Sequence, residues 1–139
     1  MFELHPQLEK DTLPLGRFQL CRLLLMNDSQ YPWFILVPER ENIHEIHELI
    51  DTDRLQLWDE SVQLSRALTA CFKPDKLNIA ALGNQVPQLH VHHIVRYRHD
   101  PAWPAPVWGK LPPKPYYSGE TAKLKILLTN ALGEALKPI

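Results

Sequence analysis

The sequence has few of the residues that build several common kinds of functional site. Its 139 residues include only five glycines, and none forms a Gly-rich phosphate-binding loop of the dinucleotide-binding or P-loop type. It contains no Gly-x-Ser-x-Gly segment of the kind that carries the nucleophile of α/β-hydrolases. The two cysteines, Cys21 and Cys71, lie in separate apolar runs and outside any Cys-x-x-Cys pair. We therefore expect two reduced thiols in a cytoplasmic protein, with no zinc knuckle and no disulfide.

The sequence also has no excess of one charge and no long hydrophobic run. It carries 15 basic and 16 acidic residues, which gives a formal net charge of −1. The first 11 residues are mixed and polar, and no stretch is long enough to cross a bilayer. We therefore expect neither a nucleic-acid partner nor a membrane partner. With 45% hydrophobic residues, a chain of this length suffices for one domain with a substantial core.

Hydrophobic patterning predicts four strands and two helices. Met1 opens an irregular or short helical lead-in that runs to position 15. Apolar runs bracketed by turn-forming residues or prolines predict strands at residues 17–26, 33–37, 77–82 and 88–97. The short connections predict that the first two strands pair antiparallel and that the last two do the same. This order of elements is typical of an α+β domain with an antiparallel sheet.

The clearest predicted helix covers Asp51–Phe72, with Asp51 or Thr52 as its N-cap and Pro74 after its end. The predicted apolar stripe of this helix is formed by Leu55, Trp58, Val62 and Ser65. Three further residues lie beside the stripe: Leu64, Leu68 and Cys71.

The C-terminal part of the chain has a different composition. Residues 100–115 hold six of the 13 prolines together with Trp103 and Trp108, which predicts an extended loop with aromatic anchors. We call this segment the Pro/Trp loop. The two tryptophans follow the last strand closely enough to reach a site on it. A second helix is predicted for residues 118–136, with Ser118 as its N-cap and Thr121 as the alternative.

The most informative segment is Gln-Leu-His-Val-His-His-Ile-Val at residues 88–95. Successive side chains of a strand point to opposite faces, so Gln88, His90 and His92 share one face of the predicted strand. The aliphatic residues between them face an apolar layer on the other side, together with His93. Residues two apart on a strand are roughly 6.6 Å apart. Both imidazoles can therefore contact one phosphate group or one metal ion.

Two plainer interpretations of these histidines are open from the residues alone. His90 and His92 can be an ordinary pair on an exposed sheet face. They can also ligate a metal in a β-barrel enzyme of the cupin kind, although the long helix in mid-chain argues against a barrel. A second pair, His44 and His47, is spaced i, i+3, whereas the zinc-protease helix needs i, i+4. We therefore assign that pair to a polar segment before the helix.

Together these segments resemble the histidine triad (HIT) superfamily, whose signature is a row of three histidines separated by single apolar residues. Residues 83–94 resemble that signature, and residues 25–38 are similar to the family's two early strands. The resemblance covers residues 15–97 and leaves residues 98–139 as a C-terminal extension. It implies an α+β fold in one domain, residues 1–139, with an antiparallel sheet, a long central helix and a C-terminal Pro/Trp loop plus helix.

The resemblance implies a hydrolase or nucleotidyl transferase that acts on nucleotides. His90 matches the middle histidine of the family, which attacks the α-phosphorus and forms a covalent nucleotidyl-histidine. His92 matches the third histidine, which contacts the phosphate. The implied substrates are dinucleoside polyphosphates, nucleoside phosphoramidates or similar phosphoanhydrides.

The resemblance also implies a set of substrate-binding residues. Gln85 stands where a phosphate-contacting hydroxyl residue usually lies, and we expect the neighbouring Asn84 to contribute to substrate binding as well. Asn27 matches the residue that binds the ribose, with Asp28 as the alternative.

The sequence departs from the family at the first histidine, which is Gln88 here. A side-chain amide can orient a neighbour or hold an oxygen, but it carries no titrating proton. We therefore also consider a nucleotide-binding protein of the same fold with weak catalysis or none.

The family's members usually form homodimers through their sheets and long helices, and we expect a homodimer here. Trp58 and Leu64 suit either such an interface or the core of the protein. We expect no resident cofactor or metal, because the sequence shows no carboxylate cluster. A divalent cation would at most accompany a polyphosphate substrate.

Overall fold

Five strands and three helices make up the computed structural model, which describes all 139 residues. The strands are β1 Thr12–Arg17, β2 Cys21–Met26, β3 Trp33–Pro38, β4 Lys76–Ala80 and β5 Val91–Arg96. The helices are α1 Pro6–Asp11, α2 Asp51–Phe72 and α3 Glu120–Leu132, with 3₁₀ turns at Ile46–Glu48 and Gly133–Ala135. The strands form one antiparallel sheet in the order β1-β2-β3-β5-β4. The predicted α+β class and both predicted antiparallel pairs are confirmed.

The N-terminal region differs from the prediction. The predicted lead-in contains helix α1 and most of strand β1, and the predicted strand at 17–26 is β2 with the turn before it. Pro14 and Gly16 conceal β1 in the sequence because both disfavour the interior of a sheet. They are accommodated here because β1 is an edge strand whose pairing with β2 is irregular between Pro14 and Gly16. A Cβ atom at Gly16 would lie 2.7 Å from the carbonyl oxygen of Lys137, so this close approach requires glycine.

Two apolar layers lie on opposite faces of the sheet. One layer packs against α2 and α3, and it includes Leu64 and Leu128 from these helices. The other layer lies beneath α1 and the Pro/Trp loop, which contribute Leu8 and Val107. Every residue of β3 and β5 is buried because both faces of these central strands are covered.

Helix α2 has its predicted bounds, but its buried face differs from the predicted stripe. Leu55 and Trp58 are 73% and 69% exposed, whereas Leu64 is fully buried. The buried face runs through Leu57, Glu60, Ser61, Leu64 and Leu68. Its two polar members made this stripe hard to recognise. The Glu60 carboxylate accepts hydrogen bonds of 2.9 Å from the backbone N–H groups of Leu20 and Cys21 and so holds the turn before β2.

Two predicted helix caps are wrong, and the bounds of α3 and β5 are shifted. Ile50 occupies the N-cap position of α2, and neither Asp51 nor Thr52 makes the predicted cap. Helix α3 is shorter than predicted and begins after Gly119, so the Ser118 cap is also wrong. Strand β5 begins at Val91, where its pairing with β3 begins, and its pairing with β4 follows from His92.

Candidate functional site

His90 and His92 lie together on the sheet face that the Pro/Trp loop covers. His92 is paired with Ile35 of β3, which belongs to the apolar layer on that face. The centroids of the two imidazole rings are 4.8 Å apart, and the rings meet at 71°. Both line a cleft of about 330 Å³ together with Trp33 of β3 and Trp108 of the loop. The alternation of side chains predicted from the sequence therefore brings the two histidines to one site.

A hydrogen bond to the backbone fixes the tautomer of His90. Its Nδ1 is 2.7 Å from the carbonyl oxygen of Gln88, which can only accept, so Nδ1 carries the hydrogen. In a neutral imidazole the other nitrogen, Nε2, then has a free lone pair. His90 Nε2 makes no hydrogen bond and keeps contact with solvent. The result is a nucleophilic nitrogen at the surface of the cleft.

His92 has the opposite tautomer. The indole Nε1–H of Trp33 donates a hydrogen bond of 3.0 Å to His92 Nδ1. A neutral imidazole that accepts at Nδ1 carries its hydrogen on Nε2. His92 Nε2 is buried and makes no hydrogen bond of normal geometry, although the backbone carbonyl of Leu82 approaches the ring. Two adjacent histidines thus present a free lone pair and a free N–H donor to one cleft.

Burial keeps both imidazoles neutral near pH 7. It lowers the pKa of His90, against a smaller opposing effect of the hydrogen bond to Gln88. Burial, with a further contribution from the neighbouring His90, lowers the pKa of His92 to about 3, against a smaller opposing effect of the Leu82 carbonyl. A neutral imidazole is the form needed for nucleophilic attack and for the tautomers described above.

His93 lies on the opposite face of β5, as the sequence predicted. It is fully buried, and its Nε2 is 2.7 Å from the hydroxyl oxygen of Ser61 on α2. Its Nδ1 is 3.1 Å from the carbonyl oxygen of Val91. Burial lowers its pKa to about 4. Both nitrogens have partners, so His93 joins the helix to the sheet and is closed to a ligand.

The structure brings two of the three predicted substrate-binding residues to the cleft. Asn84 and Gln85 line it from the loop before β5. Asn27 does not line it, because its side-chain oxygen accepts a hydrogen bond of 2.9 Å from the backbone N–H of Tyr116. The alternative residue, Asp28, is buried, and its carboxylate binds Gln30.

Gln88 does not share the strand face of the two histidines as predicted. It precedes β5, and its side chain turns toward the N-terminal segment. Its Oε1 accepts from the backbone N–H of His5, and its Nε2 donates to the carbonyl of Glu3, each at 2.9 Å. The part of Gln88 that contacts the site is its backbone carbonyl, bonded to His90.

Several cleft residues carry no signal in the sequence. Gln7, Leu8 and Asp11 of α1 line one side, and Met26 lies beside them. Asp11 is the only charged residue that lines the cleft. Nothing local in the sequence marks this contribution, because α1 reaches the site only through the tertiary fold.

A buried ion pair holds the loop that carries Trp108. Arg96 of β5 is 2% exposed and bonds both carboxylate oxygens of Asp100, at 2.8 and 3.1 Å. It also donates to the carbonyl of Ala105 at 2.8 Å, and its guanidinium lies over the ring of Trp103. Of the two tryptophans that were expected near the site, Trp108 therefore reaches it and Trp103 packs on Arg96.

The fold and the donor set do not suit the metal-dependent alternative. The sheet is open, with β1 and β4 at its edges, whereas a cupin site needs a barrel. No group of three or more His, Cys, Asp or Glu side chains is placed to hold a metal ion.

None of the helices is both long and apolar enough to span a membrane.

Comparisons with known proteins place the chain in a family. The model of the HIT domain matches residues 7–99. A histidine triad protein from Marinobacter aquaeolei is 52% identical over 97% of this chain and 98% of that one, with a TM-score of 0.94. Histidine triad proteins from Bradyrhizobium japonicum and Sinorhizobium meliloti are 44% and 40% identical, each over 94% of this chain, with a TM-score of 0.92. These two matches cover 98% and 97% of the lengths of those two proteins. No curated protein matches the sequence.

The chain belongs to the HIT domain family. Proteins of this family generally bind nucleotides and commonly hydrolyse or transfer them. The similarity to the solved histidine triad proteins extends beyond the HIT domain through the Pro/Trp loop and into the C-terminal region.

Proposed function

We propose that the protein cleaves a nucleotide at its α-phosphorus through a covalent nucleotidyl intermediate on His90. The observation that carries this proposal is the hydrogen bond from His90 Nδ1–H to the carbonyl of Gln88 at 2.7 Å. It leaves Nε2 with a free lone pair directed to solvent in a cleft where the neighbouring His92 offers an N–H donor.

In the first step, the Nε2 lone pair of His90 forms a bond to the α-phosphorus. The bond from that phosphorus to the leaving group breaks, and the leaving group departs with the electron pair. The imidazole becomes positively charged, and its Nδ1–H stays bonded to the carbonyl of Gln88, which stabilises that charge. The Nε2–H of His92 is placed to donate to a phosphoryl oxygen as negative charge builds there.

In the second step, water attacks the same phosphorus and the phosphorus–nitrogen bond breaks. The electron pair returns to His90 Nε2, the water loses a proton to solvent, and a nucleoside monophosphate is released. An acceptor other than water would give nucleotidyl transfer by the same chemistry.

The cleft also supports an orientation for the substrate. His90 and His92 lie near Trp108, whereas the only carboxylate, Asp11, comes from α1. A carboxylate accepts hydrogen bonds from hydroxyl groups and repels phosphate. We therefore propose that the ribose hydroxyls face Asp11, in place of the Asn27 contact expected from the sequence.

The position of Gln88 favours leaving groups that need no proton. Its amide carries no titrating proton, and it is bonded to Glu3 and His5 rather than to the cleft. A phosphate leaving group departs as an anion, whereas an amine leaving group must be protonated. We therefore propose phosphoanhydrides, such as dinucleoside polyphosphates, as better substrates than phosphoramidates.

The test is turnover of a small substrate panel by the wild-type protein and by His90→Ala. The panel holds diadenosine tri- and tetraphosphate, an adenosine phosphoramidate and a nucleoside diphosphate sugar. Mass spectrometry after rapid quenching measures both the product and any nucleotide attached to the protein. We expect turnover of the anhydrides and an adduct that His90→Ala lacks.

Two outcomes would contradict parts of this proposal. Turnover that survives in His90→Ala would exclude His90 as the nucleophile. Binding of nucleotide without turnover or adduct in the wild-type protein would support a binding protein of the same fold, the alternative that the substitution at Gln88 raised.

A divalent cation enters this proposal only together with a polyphosphate substrate. The residues of the cleft include one carboxylate, Asp11, which is too few for a resident magnesium site. We expect a chelator to slow turnover of diadenosine tetraphosphate and to leave a phosphoramidate substrate unaffected.

We also propose that the protein is a homodimer. Leu55 and Trp58 are exposed one helical turn apart on α2. Ile79 is 45% exposed on β4, which is an edge strand of the sheet. Light scattering after size-exclusion chromatography should show twice the chain mass for the wild-type protein and one chain mass for Trp58→Glu. A wild-type monomer at micromolar concentration would contradict the proposal.

A further inference from the structure

Two neighbouring aromatic rings at the site each carry a buried N–H that makes no hydrogen bond of normal geometry within the protein. The two donors are Nε1 of Trp108 and Nε2 of His92, whose hydrogen the bond from Trp33 places on that atom. The ring centroids of Trp108 and His92 are 5.2 Å apart, and the planes meet at 77°. Because an unmet buried donor is costly, such groups usually have an acceptor in the functional state.

The protein itself offers Trp108 no such acceptor, although it holds the residue firmly. The indole ring meets the ring of Trp33 edge-on at 6.0 Å, in addition to the contact with His92. Val107, the residue before it, is buried in the apolar layer. Arg96 fastens the preceding part of the loop through Asp100. An N–H group fixed in this way is a preorganised donor rather than a mobile side chain.

The missing acceptor has a definable chemistry. An indole N–H donates and never accepts, so its partner must offer a lone pair. No lysine or arginine lines the cleft, so a phosphate group there would be held by neutral donors alone. The amides of Asn84 and Gln85 are exposed donors at this cleft, whereas the N–H groups of His92 and Trp108 are buried. A phosphate group has several oxygens, so it can accept hydrogen bonds from donors on both of these neighbouring rings.

We propose that Trp108 is a phosphate-binding residue, whose indole N–H acts beside His92 on the phosphate group of the substrate. The proposal rests on the proposed function for the identity of that phosphate. It gives the Pro/Trp loop a role in the site that is independent of the identity of the nucleophile.

The test compares the affinities of adenosine 5′-monophosphate and adenosine by calorimetry in Trp108→Phe. This variant keeps an aromatic ring and removes only the N–H and part of the ring area. Trp103→Phe is the matched control, because it makes the same change in the same loop at a residue that packs on Arg96. We expect Trp108→Phe to weaken the monophosphate about tenfold and adenosine less than about twofold. We expect Trp103→Phe to change neither.

A second measurement does not depend on the folding of Trp108→Phe. In ¹H–¹⁵N spectra of the wild-type protein, the indole N–H signal of Trp108 is assigned by substituting the other three tryptophans one at a time. We expect this signal to shift downfield with the monophosphate and to stay in place with adenosine, because only the former brings a phosphate oxygen.

The outcomes separate this proposal from the proposed function. An unchanged indole signal, or equal weakening of both ligands, would overturn the role of Trp108 even if the His90 adduct forms. A selective loss of monophosphate affinity would support that role even if no adduct is found. A wild-type protein that binds adenosine as tightly as the monophosphate would overturn it as well.

Discussion

His90 and His93 use the same backbone device on opposite faces of one chain segment. Each is buried and bonds through Nδ1 to the carbonyl oxygen two residues before it, at 2.7 Å for His90 and 3.1 Å for His93. Burial lowers the pKa of both. They differ at Nε2, which lies within hydrogen-bond distance of the Ser61 hydroxyl in His93 and has no hydrogen-bond partner in His90. Burial and a perturbed pKa therefore do not distinguish a reactive histidine from a structural one, whereas the free nitrogen does.

The largest expected effect comes from exchanging the two histidines for asparagine one at a time. His90→Asn should lower turnover by at least about a thousandfold, because it removes the attacking nitrogen. His93→Asn should leave turnover within about threefold and lower the free energy of unfolding by about 1–3 kcal/mol, through the lost bond to Ser61. Steady-state kinetics and urea denaturation measure the two effects. A covalent adduct that disappears in His93→Asn would break the comparison.

The next effect is the pH dependence of stability. The pKa of His93 is about 4 in the folded protein, below its ordinary value, so unfolding takes up a proton between these two values. The contribution of His93 is fully present above about pH 6.5 and is lost as the pH falls toward about 4. We expect His93 alone to cost about 2 kcal/mol of unfolding free energy between pH 7 and pH 5.

Urea denaturation at the two pH values, in the wild-type protein and in His93→Gln, measures this contribution. Equal pH dependence in both proteins would show that the low pKa belongs to other groups, of which His92 is the first candidate.

A smaller effect is expected from Trp33→Phe, which removes the donor to His92 Nδ1. Without that bond, His92 is free to place its hydrogen on either nitrogen, so part of the population offers no N–H to the phosphate. We expect kcat to fall roughly tenfold, with KM nearly unchanged. The ¹⁵N shifts of the His92 ring report the tautomer directly, and shifts identical to those of the wild-type protein would contradict this explanation.

The smallest effect is expected for a change at Gln88, whose backbone carbonyl accepts the hydrogen bond from His90 Nδ1. Gln88→Ala removes the side-chain bonds to Glu3 and His5 and keeps that carbonyl. We expect a loss of about 1 kcal/mol in stability and a change in turnover below about threefold. A much larger loss of turnover, measured on the folded variant, would show that the side chain itself acts in catalysis.

The sequence predicted the fold where local patterns and burial agree. Helix α2 and strand β3 follow from long apolar patterns between clear end signals, and their predicted positions match the structure closely. Strand β1 was missed because Pro14 and Gly16 argue against a strand, and only the edge position and the contact with Lys137 explain them. The buried face of α2 was misjudged because Glu60 is polar, and its partners lie in a distant turn.

The candidate site divides in the same way. Alternation along the segment that contains β5 was enough to place His90 and His92 on one face and His93 on the other, since a strand turns each successive side chain to the opposite side. The tautomers were not predictable, because they depend on the carbonyl of Gln88 and on Trp33, a residue of another strand.

The sequence by itself determined the α+β class, the long helix and the pair of histidines, because these depend on periodicity and on residues close in the chain. The tertiary structure alone decided which other groups meet those histidines. It brought Asp11, which precedes the histidines in the chain, and Trp108, which follows them, to the same cleft. It also directed the side chains of Asn27 and Gln88 to partners outside the cleft. Such contacts join residues far apart in the chain and leave no local pattern, so they arise only when the sheet, α1 and the Pro/Trp loop pack together.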